Sequence, residues 1–282
     1  MKTIKIIKIG GNVIDNPILL NKFLQDFTAI TEPKILIHGG GKLATDLANK
    51  LNIPQTLIEG RRITDSKTLD VAVMVYSGLI NKNIVAKLQV LDCNAIGFCG
   101  ADGNLVKSKK RIHETIDFGQ VGDVVDVNIN QFEKIIELGF IPILSAITHD
   151  GKGNLLNTNA DTMASKIAIA MSGLYEVDLI YCFEKNGVLL DVNDDNSILN
   201  SINEKEYKRL KEEKIIFEGM IPKLDNAFEA IENGVQTVKI CNAQNCNAPG
   251  TELVDSRFIA TKNDLHPKTH IYPPINIQKQ II

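Results

Sequence analysis

The sequence predicts an α/β fold, a central and mainly parallel sheet covered by helices on both faces. Three observations carry this. Short apolar strand patterns recur at 4–9, 34–37, 94–97, 140–144, 177–183 and 237–241, as strands buried on both faces require. Helical patterns lie between them at 17–29, 41–51, 65–91, 130–138, 159–171, 204–213 and 220–233, which makes them crossovers. Finally, two glycine clusters, Lys8-Ile9-Gly10-Gly11 and His38-Gly39-Gly40-Gly41, each close an apolar strand and open a helical pattern. Glycine lets backbone approach a ligand closely, and helix N-termini offer unpaired N–H donors, so each turn can cradle an anion.

Taken in order, the strand at 4–9 delivers Lys8 to its carboxyl end, where open α/β sheets bind ligands. An ammonium there could neutralise a transferring phosphoryl group. It could also be a surface lysine beside a tight turn, and alone the two readings fit equally. The second cradle, after the strand at 34–37, favours the phosphate reading. His38 has no visible carboxylate partner and reads as a structural histidine. The segment Gly60-Arg61-Arg62-Ile63-Thr64-Asp65 leads into the helix at 65–91, with Asp65 or Thr64 as its cap. An arginine fork suits a carboxylate, although both arginines could equally be solvated.

Hairpin signals at Gly100-Ala101-Asp102-Gly103-Asn104 and Asp150-Gly151-Lys152-Gly153 predict some antiparallel strands. The charged run Lys107 to Arg111 reads as a solvated loop. Leu156-Asn157-Thr158-Asn159-Ala160-Asp161 opens an amphipathic helix carrying Met163, Ile167, Ala168 and Met171. Asn159 or Thr158 as N-cap, with Asp161 in the first turn, explains one asparagine and the aspartate but not Asn157. A boundary near Ser172-Gly173 divides a lobe at 1–172 from one at 173–255, with a linker so short that the lobes should share one sheet. Glu218-Gly219-Met220-Ile221-Pro222-Lys223 opens the helix at 220–233. Pro222 is a start signal, and Lys223 opposes the helix dipole there, which hints at an anionic ligand. The tail at 256–282, with Pro267, Pro273 and Pro274, reads as a loose or surface-wrapped extension.

Length and composition bound the function. The 282 residues, 44% hydrophobic, suffice for a large core and one or two domains. A net charge of −3 argues against nucleic acid as the main partner. The five cysteines form no C-x-x-C pair, which suits a reducing compartment. Lys5 and Lys8 interrupt the first apolar run, so no signal peptide is expected, and no segment reads as a bilayer span. A soluble, cytoplasmic protein is the expectation. The P-loop, the protein-kinase catalytic loop, the dinucleotide fingerprint and a metal-ligand histidine pair do not occur in the sequence.

The ordered set KIGG (8–11), HGGG (38–41), GRRIT (60–64), GADGNL (100–105), NTNAD (157–161), GMIPK (219–223) and PGTEL (249–253) resembles the amino acid kinase family, and within it the acylglutamate branch. The resemblance covers residues 4–254 and implies an open αβα sandwich around a mainly parallel sheet. The N-terminal lobe would bind the acyl-amino acid and form a homodimer, and the C-terminal lobe would bind ATP. Lys8 and Lys223 would contact the transferring phosphoryl group, with Asp161 between them. Gly10, Gly11, Gly40 and Gly41 would donate backbone N–H groups. Arg62 would pair with a substrate carboxylate, and Asn157 and Asn159 would hold the substrate. Glu184 and Gly187 would lie on the ATP side, and Mg²⁺ would ride on the ATP phosphates.

The implied reaction is ATP-dependent phosphorylation of the side-chain carboxylate of N-acetyl-L-glutamate, in arginine biosynthesis, with N-succinyl-L-glutamate as the alternative acceptor. A carboxylate with a reference pKa near 4.3 needs no general base, so positioning and charge neutralisation suffice. Other amino acid kinase activities, or a catalytically silent amino-acid sensor on the same fold, are the competing readings. Two departures from the family pattern stand out. Where members often carry a hydroxyl-plus-aspartate pair, this chain has Cys182-Phe183-Glu184-Lys185-Asn186-Gly187-Val188, and HGGG is followed by Lys42-Leu43 rather than proline. The start of the chain directly at the Lys8 strand leads to the expectation of an arginine-insensitive homodimer.

Overall fold

A computed structural model describes residues 1–58, 61–191, 193–216, 220–246 and 249–255. The tail at 256–282, Gly60 of GRRIT, and Glu218 and Gly219 ahead of the helix that carries Lys223 lie outside the described residues. Along the chain, β1 (Lys2–Ile9), α1 (Gly11–Asp15), α2 (Pro17–Thr28), β2 (Lys34–His38) and α3 (Gly41–Lys50) come first. The short pair β3 (Leu57–Ile58) and β4 (Arg61–Arg62) follows, then α4 (Ser66–Val73), π-helical turns over Met74–Ile80, and α5 (Asn81–Val90). Next are β5 (Ala95–Phe98), β6 (Val106–Lys110), β7 (Val121–Val127), α6 (Ile129–Glu137), β8 (Ile141–Ser145), β9 (Ile147–His149) and β10 (Leu155–Thr158). The remainder is α7 (Ala160–Met171), β11 (Tyr175–Phe183), β12 (Ser201–Asn203), α8 (Glu204–Glu212), α9 (Ile221–Glu232), β13 (Thr237–Asn242) and β14 (Thr251–Val254).

The main sheet has eight strands in the order β12-β14-β13-β11-β1-β2-β8-β5. All of its neighbouring strands are parallel except the β13–β14 pair. Strands from both sides of residue 172 are joined in it, with β1 beside β11 at the centre. The fold is the expected open αβα sandwich. Two buried clusters flank the sheet. Side chains alternate across a strand, so Ile4 and Ile6 enter the layer under α7 and α9, while Ile7 and Ile9 enter the layer under α2 and α5. The same alternation puts Lys8, Tyr181 and Phe183 on the α7/α9 face. The strand order places the carboxyl ends of β1, β2 and β11 side by side, and open sheets bind ligands at such crevices.

Three sequence expectations are corrected. The signal at 100–104 is not a hairpin. It carries the chain from β5 in the main sheet to β6, and β5 pairs only with β8 among the described strands. Lys107 to Arg111 is not a loop, because its first four residues belong to β6, which joins β7, β9 and β10 in a small four-stranded barrel. There Lys109 and Lys110 are exposed, and Arg111 pairs with Asp123 at 2.5 Å. The run Ser66–Val90 is, by length and composition, apolar enough to cross a membrane. Its Val71, Val75, Ile80, Ile84 and Leu88 are buried instead in the core beneath the sheet. The second hairpin signal does form a turn, between the antiparallel strands β9 and β10.

Buried Lys34 opens β2 and was not singled out by its sequence. Its ammonium donates to the Phe27, Thr28 and Ile30 carbonyls at 2.8, 3.2 and 2.6 Å. It thereby satisfies the carbonyl end of α2 and favours the negative pole of that helix.

Candidate active site

Lys8 is the last outward step of β1 onto the α7/α9 face, and only 6% of it is exposed. A buried ammonium needs compensation, and Asp161, in the first turn of α7, supplies it with Oδ1 2.6 Å from Lys8 Nζ. The contact is an ion pair off the hydrogen-bond axis, since among the described residues Oδ1 has no aligned donor. Asn159 caps α7 by accepting from the Thr162 N–H at 3.0 Å, and the Tyr181 hydroxyl donates to the Asp161 carbonyl at 3.1 Å. The start of α7, and with it Asp161, is fixed from two sides.

Lys223 sits in the first turn of α9, after Pro222. Burial pushes its pKa down, Asp161 opposes that effect, and the like charge of Lys8 adds to it. Lys8 and Lys223 both lie over the Phe183 ring, each ammonium 4.8 Å from the ring centre. Glu184, the next residue, accepts from the Asn12 side chain at 2.9 Å.

Arg62 is buried rather than solvated. Its guanidinium donates to the Gly41 carbonyl at 2.8 Å, to Thr45 Oγ1 at 2.7 Å and to Gln55 Oε1. Asn157, which capping left unexplained, donates to Thr64 Oγ1 at 3.1 Å. Asp65, not Thr64, caps α4, accepting from the Thr68 N–H at 2.7 Å. His38 is fully buried: Nδ1 meets the Gly39 carbonyl at 2.9 Å and Nε2 meets Asn81 Nδ2 at 3.1 Å. Burial lowers its pKa to about 4, so it is neutral at pH 7, as the structural reading required.

The glycines divide into different uses. The Gly10 N–H donates to the Cys182 carbonyl at 3.1 Å, which corrects its expected use as a phosphate donor, because the ladder between β1 and β11 has claimed it. A Cβ there would come within 3.2 Å of the Phe183 ring. Gly40 has φ +154° and opens α3, and a Cβ on it would sit 2.1 Å from Ile80 Cδ1. Gly11 and Gly41 are the first residues of α1 and α3, positions whose N–H groups have no intrahelical acceptor. A Cβ on Gly187 would strike Thr251 Oγ1 at 2.6 Å.

Two cavities meet here. One of about 200 Å³ is lined by Arg61, Tyr76, Asn157, Asn159 and Asp161. The other, of about 760 Å³, is lined by Asn12, Phe183, Glu184, Gly187, Met220 and Lys223. Lys8, Gly11, Gly41, Leu57 and Arg62 line both. Every site residue named from the sequence lines one cavity or the other. The sequence pointed to neither Phe183 as a shared contact nor Tyr76 on the π-helical turns. An aromatic residue in an apolar strand looks like core, and a π-turn has no distinctive sequence pattern.

A small polar cavity and a larger one joined across two lysines suit transfer of an anionic group between two ligands. The comparisons agree. The model of the Amino acid kinase family matches residues 3–242. An acetylglutamate kinase of Cytophaga hutchinsonii is 51% identical over 264 residues, covering 93% of this chain and 98% of that protein. One from Bacteroides fragilis is 49% identical, covering 87% and 94%. Among solved structures, a carbamate kinase from Giardia lamblia bound to AMP-PNP superposes with a TM-score of 0.67 at 11% identity, covering 90% of this chain and 99% of that one. The extent of the family match and of the similarity to these relatives places the chain in the amino acid kinase family.

Proposed function

We propose that this chain transfers the γ-phosphoryl group of ATP to the side-chain carboxylate of N-acetyl-L-glutamate, giving the acyl phosphate and ADP in arginine biosynthesis. The observation that carries the reading is the meeting of the two cavities at Lys8, Gly11, Gly41 and Arg62. The relatives at about half identity named acetylglutamate kinase support the acceptor, and the AMP-PNP-bound neighbour of the same fold supports ATP.

In this reading the acylglutamate occupies the smaller cavity and ATP the larger. A carboxylate oxygen attacks the γ-phosphorus, the bond to the β,γ-bridging oxygen breaks, and its electron pair leaves with ADP. Lys8 and Lys223 neutralise charge on the transferring group and the leaving oxygens. Asp161 holds Lys8 in place rather than taking a proton, since the attacking carboxylate is already ionised near neutral pH. Gly11, Gly40 and Gly41 form the backbone wall against the phosphates. Arg62, with Asn157 and Asn159 beside it, receives the substrate's α-carboxylate and acyl group, while Glu184 and Gly187 border the nucleotide. Mg²⁺ enters on the ATP phosphates as part of the substrate.

The lobe at 1–172 supplies the acceptor site and a homodimer contact, and the lobe at 173–255 supplies the nucleotide site. Met74 and Leu79, half-exposed on the long helical run, are apolar surface that a second copy would cover. The enzyme works in the cytoplasm.

The test is ATP-dependent acyl-phosphate formation trapped with hydroxylamine, run with N-acetyl-L-glutamate and N-succinyl-L-glutamate in parallel. Hydroxamate from the acetyl substrate is expected. Turnover of the succinyl compound alone would replace the acceptor, and turnover of neither, by folded protein with Mg²⁺, would overturn the kinase reading in favour of a sensor.

A further inference from the structure

Phe183 ends β11 at the site, and nothing in the reaction scheme above uses it. Its surroundings are specific. The Lys8 and Lys223 ammonium groups each lie 4.8 Å from its ring centre, inside the range of cation–π attraction. The Tyr181 ring stacks behind it, 6.3 Å away and tilted by 9°, and Tyr181 is itself tied to the Asp161 carbonyl. The glycine turn closes a further side, because a Cβ on Gly10 would reach within 3.2 Å of the ring. Only 7% of Phe183 is exposed, so the ring has little room to turn away.

The charges explain why a ring is useful at this point. Lys8 comes from β1 and Lys223 from α9, and they repel. Among the described residues, Asp161 of α7 and Glu184 after β11 are carboxylates acting on Lys223, and Asp161 is in contact with Lys8. A further carboxylate between the lysines would hold them but cancel the charge that phosphoryl transfer needs. Water would leave the charge in place but let the side chains wander. An aromatic face attracts both ammonium groups through its quadrupole while leaving their net charge intact.

We propose that Phe183 is a positioning residue, whose ring face holds the Lys8 and Lys223 ammonium groups side by side at the junction of the two cavities. This rests on the kinase reading for its link to turnover, though the contact itself does not.

The experiment places 4-fluoro-, 3,5-difluoro- and 3,4,5-trifluorophenylalanine at position 183 of the full chain, with Phe183→Leu alongside. Fluorine drains the ring's negative face and nearly preserves its shape, so folding is spared. With MgATP and N-acetyl-L-glutamate, kcat falls stepwise with each fluorine, by about tenfold at the third, while KM for the acceptor changes by less than about twofold. The alkaline limb of kcat moves to lower pH, because the Lys223 ammonium loses a stabilising contact that partly opposes its burial. A trifluoro protein with unchanged kcat and unchanged limb, beside an impaired Phe183→Leu, would reduce the ring to packing and overturn the proposal. The Lys223 ammonium is also titrated by NMR, its signal assigned with Lys223→Arg, and this needs no turnover. If the titration moves with fluorination while unmodified protein forms no acyl phosphate, the kinase reading falls and the ring contact stands. If the titration does not move, the proposal falls whatever the turnover.

Discussion

Lys8 owes its place to the pleat of one strand. It shares a face with Ile4 and Ile6, so alternation alone turns it toward α7 and α9, and burial there demands the Asp161 partner found 2.6 Å away. That much could be read from the order of apolar residues and from NTNAD. The Gly10 N–H could not, because its use depends on which strand lies beside β1. The protonation of His38 bears on stability. Its folded pKa of about 4 lies below the reference value of 6.5 because burial disfavours the cation. Below pH 6.5 the unfolded chain binds the proton more readily, so this contribution is complete above pH 6.5 and is lost as pH falls toward 4. Its size is about 3 kcal/mol. Urea unfolding at pH 7 and pH 4.5 should show a steeper loss of stability for the natural protein than for His38→Gln. Equal losses would remove His38 as the cause.

At the scale of elements, six strands of the parallel core were legible because each is a short apolar run, several of them next to glycine, proline or asparagine. Observed boundaries of these strands differ from the expected ones by no more than two residues at either end. Of the small barrel, only the turn at 150–153 between β9 and β10 was legible. The lysines of β6 alternate too weakly with apolar residues to announce a strand, and β9 and β10 are too short to stand out. The π-helical turns over Met74–Ile80 were hidden for another reason, since their composition is that of an ordinary apolar helix. Their position matters, for Tyr76 and Ile80 pack against the open side of Gly40. Gly40→Ala should therefore cost about 1–3 kcal/mol through clash and strain, and thermal unfolding should show a lower midpoint. A midpoint equal to that of the natural protein would mean the turn has slack that the packing against Ile80 does not suggest.

For the whole molecule, the central fact is that one sheet brings together a lysine from its first strand, an aspartate from the seventh helix and a lysine from the ninth, around a ring at the end of β11. The ordered motifs made the set recognisable. They did not show that it lies between two cavities of unequal size, because that follows from three-dimensional strand order. If the junction is where the phosphoryl group crosses, removing the Lys8 ammonium should harm the chemical step and spare binding on either side. The most direct measurement is the kcat and KM of Lys8→Met with MgATP and N-acetyl-L-glutamate, with both affinities checked by calorimetry. The expected result is a fall in kcat of about 100-fold or more, with both ligands bound within a few-fold of the natural affinity. An unchanged kcat, or a loss confined to the affinity for one ligand, would contradict the assignment of the junction as the transfer site.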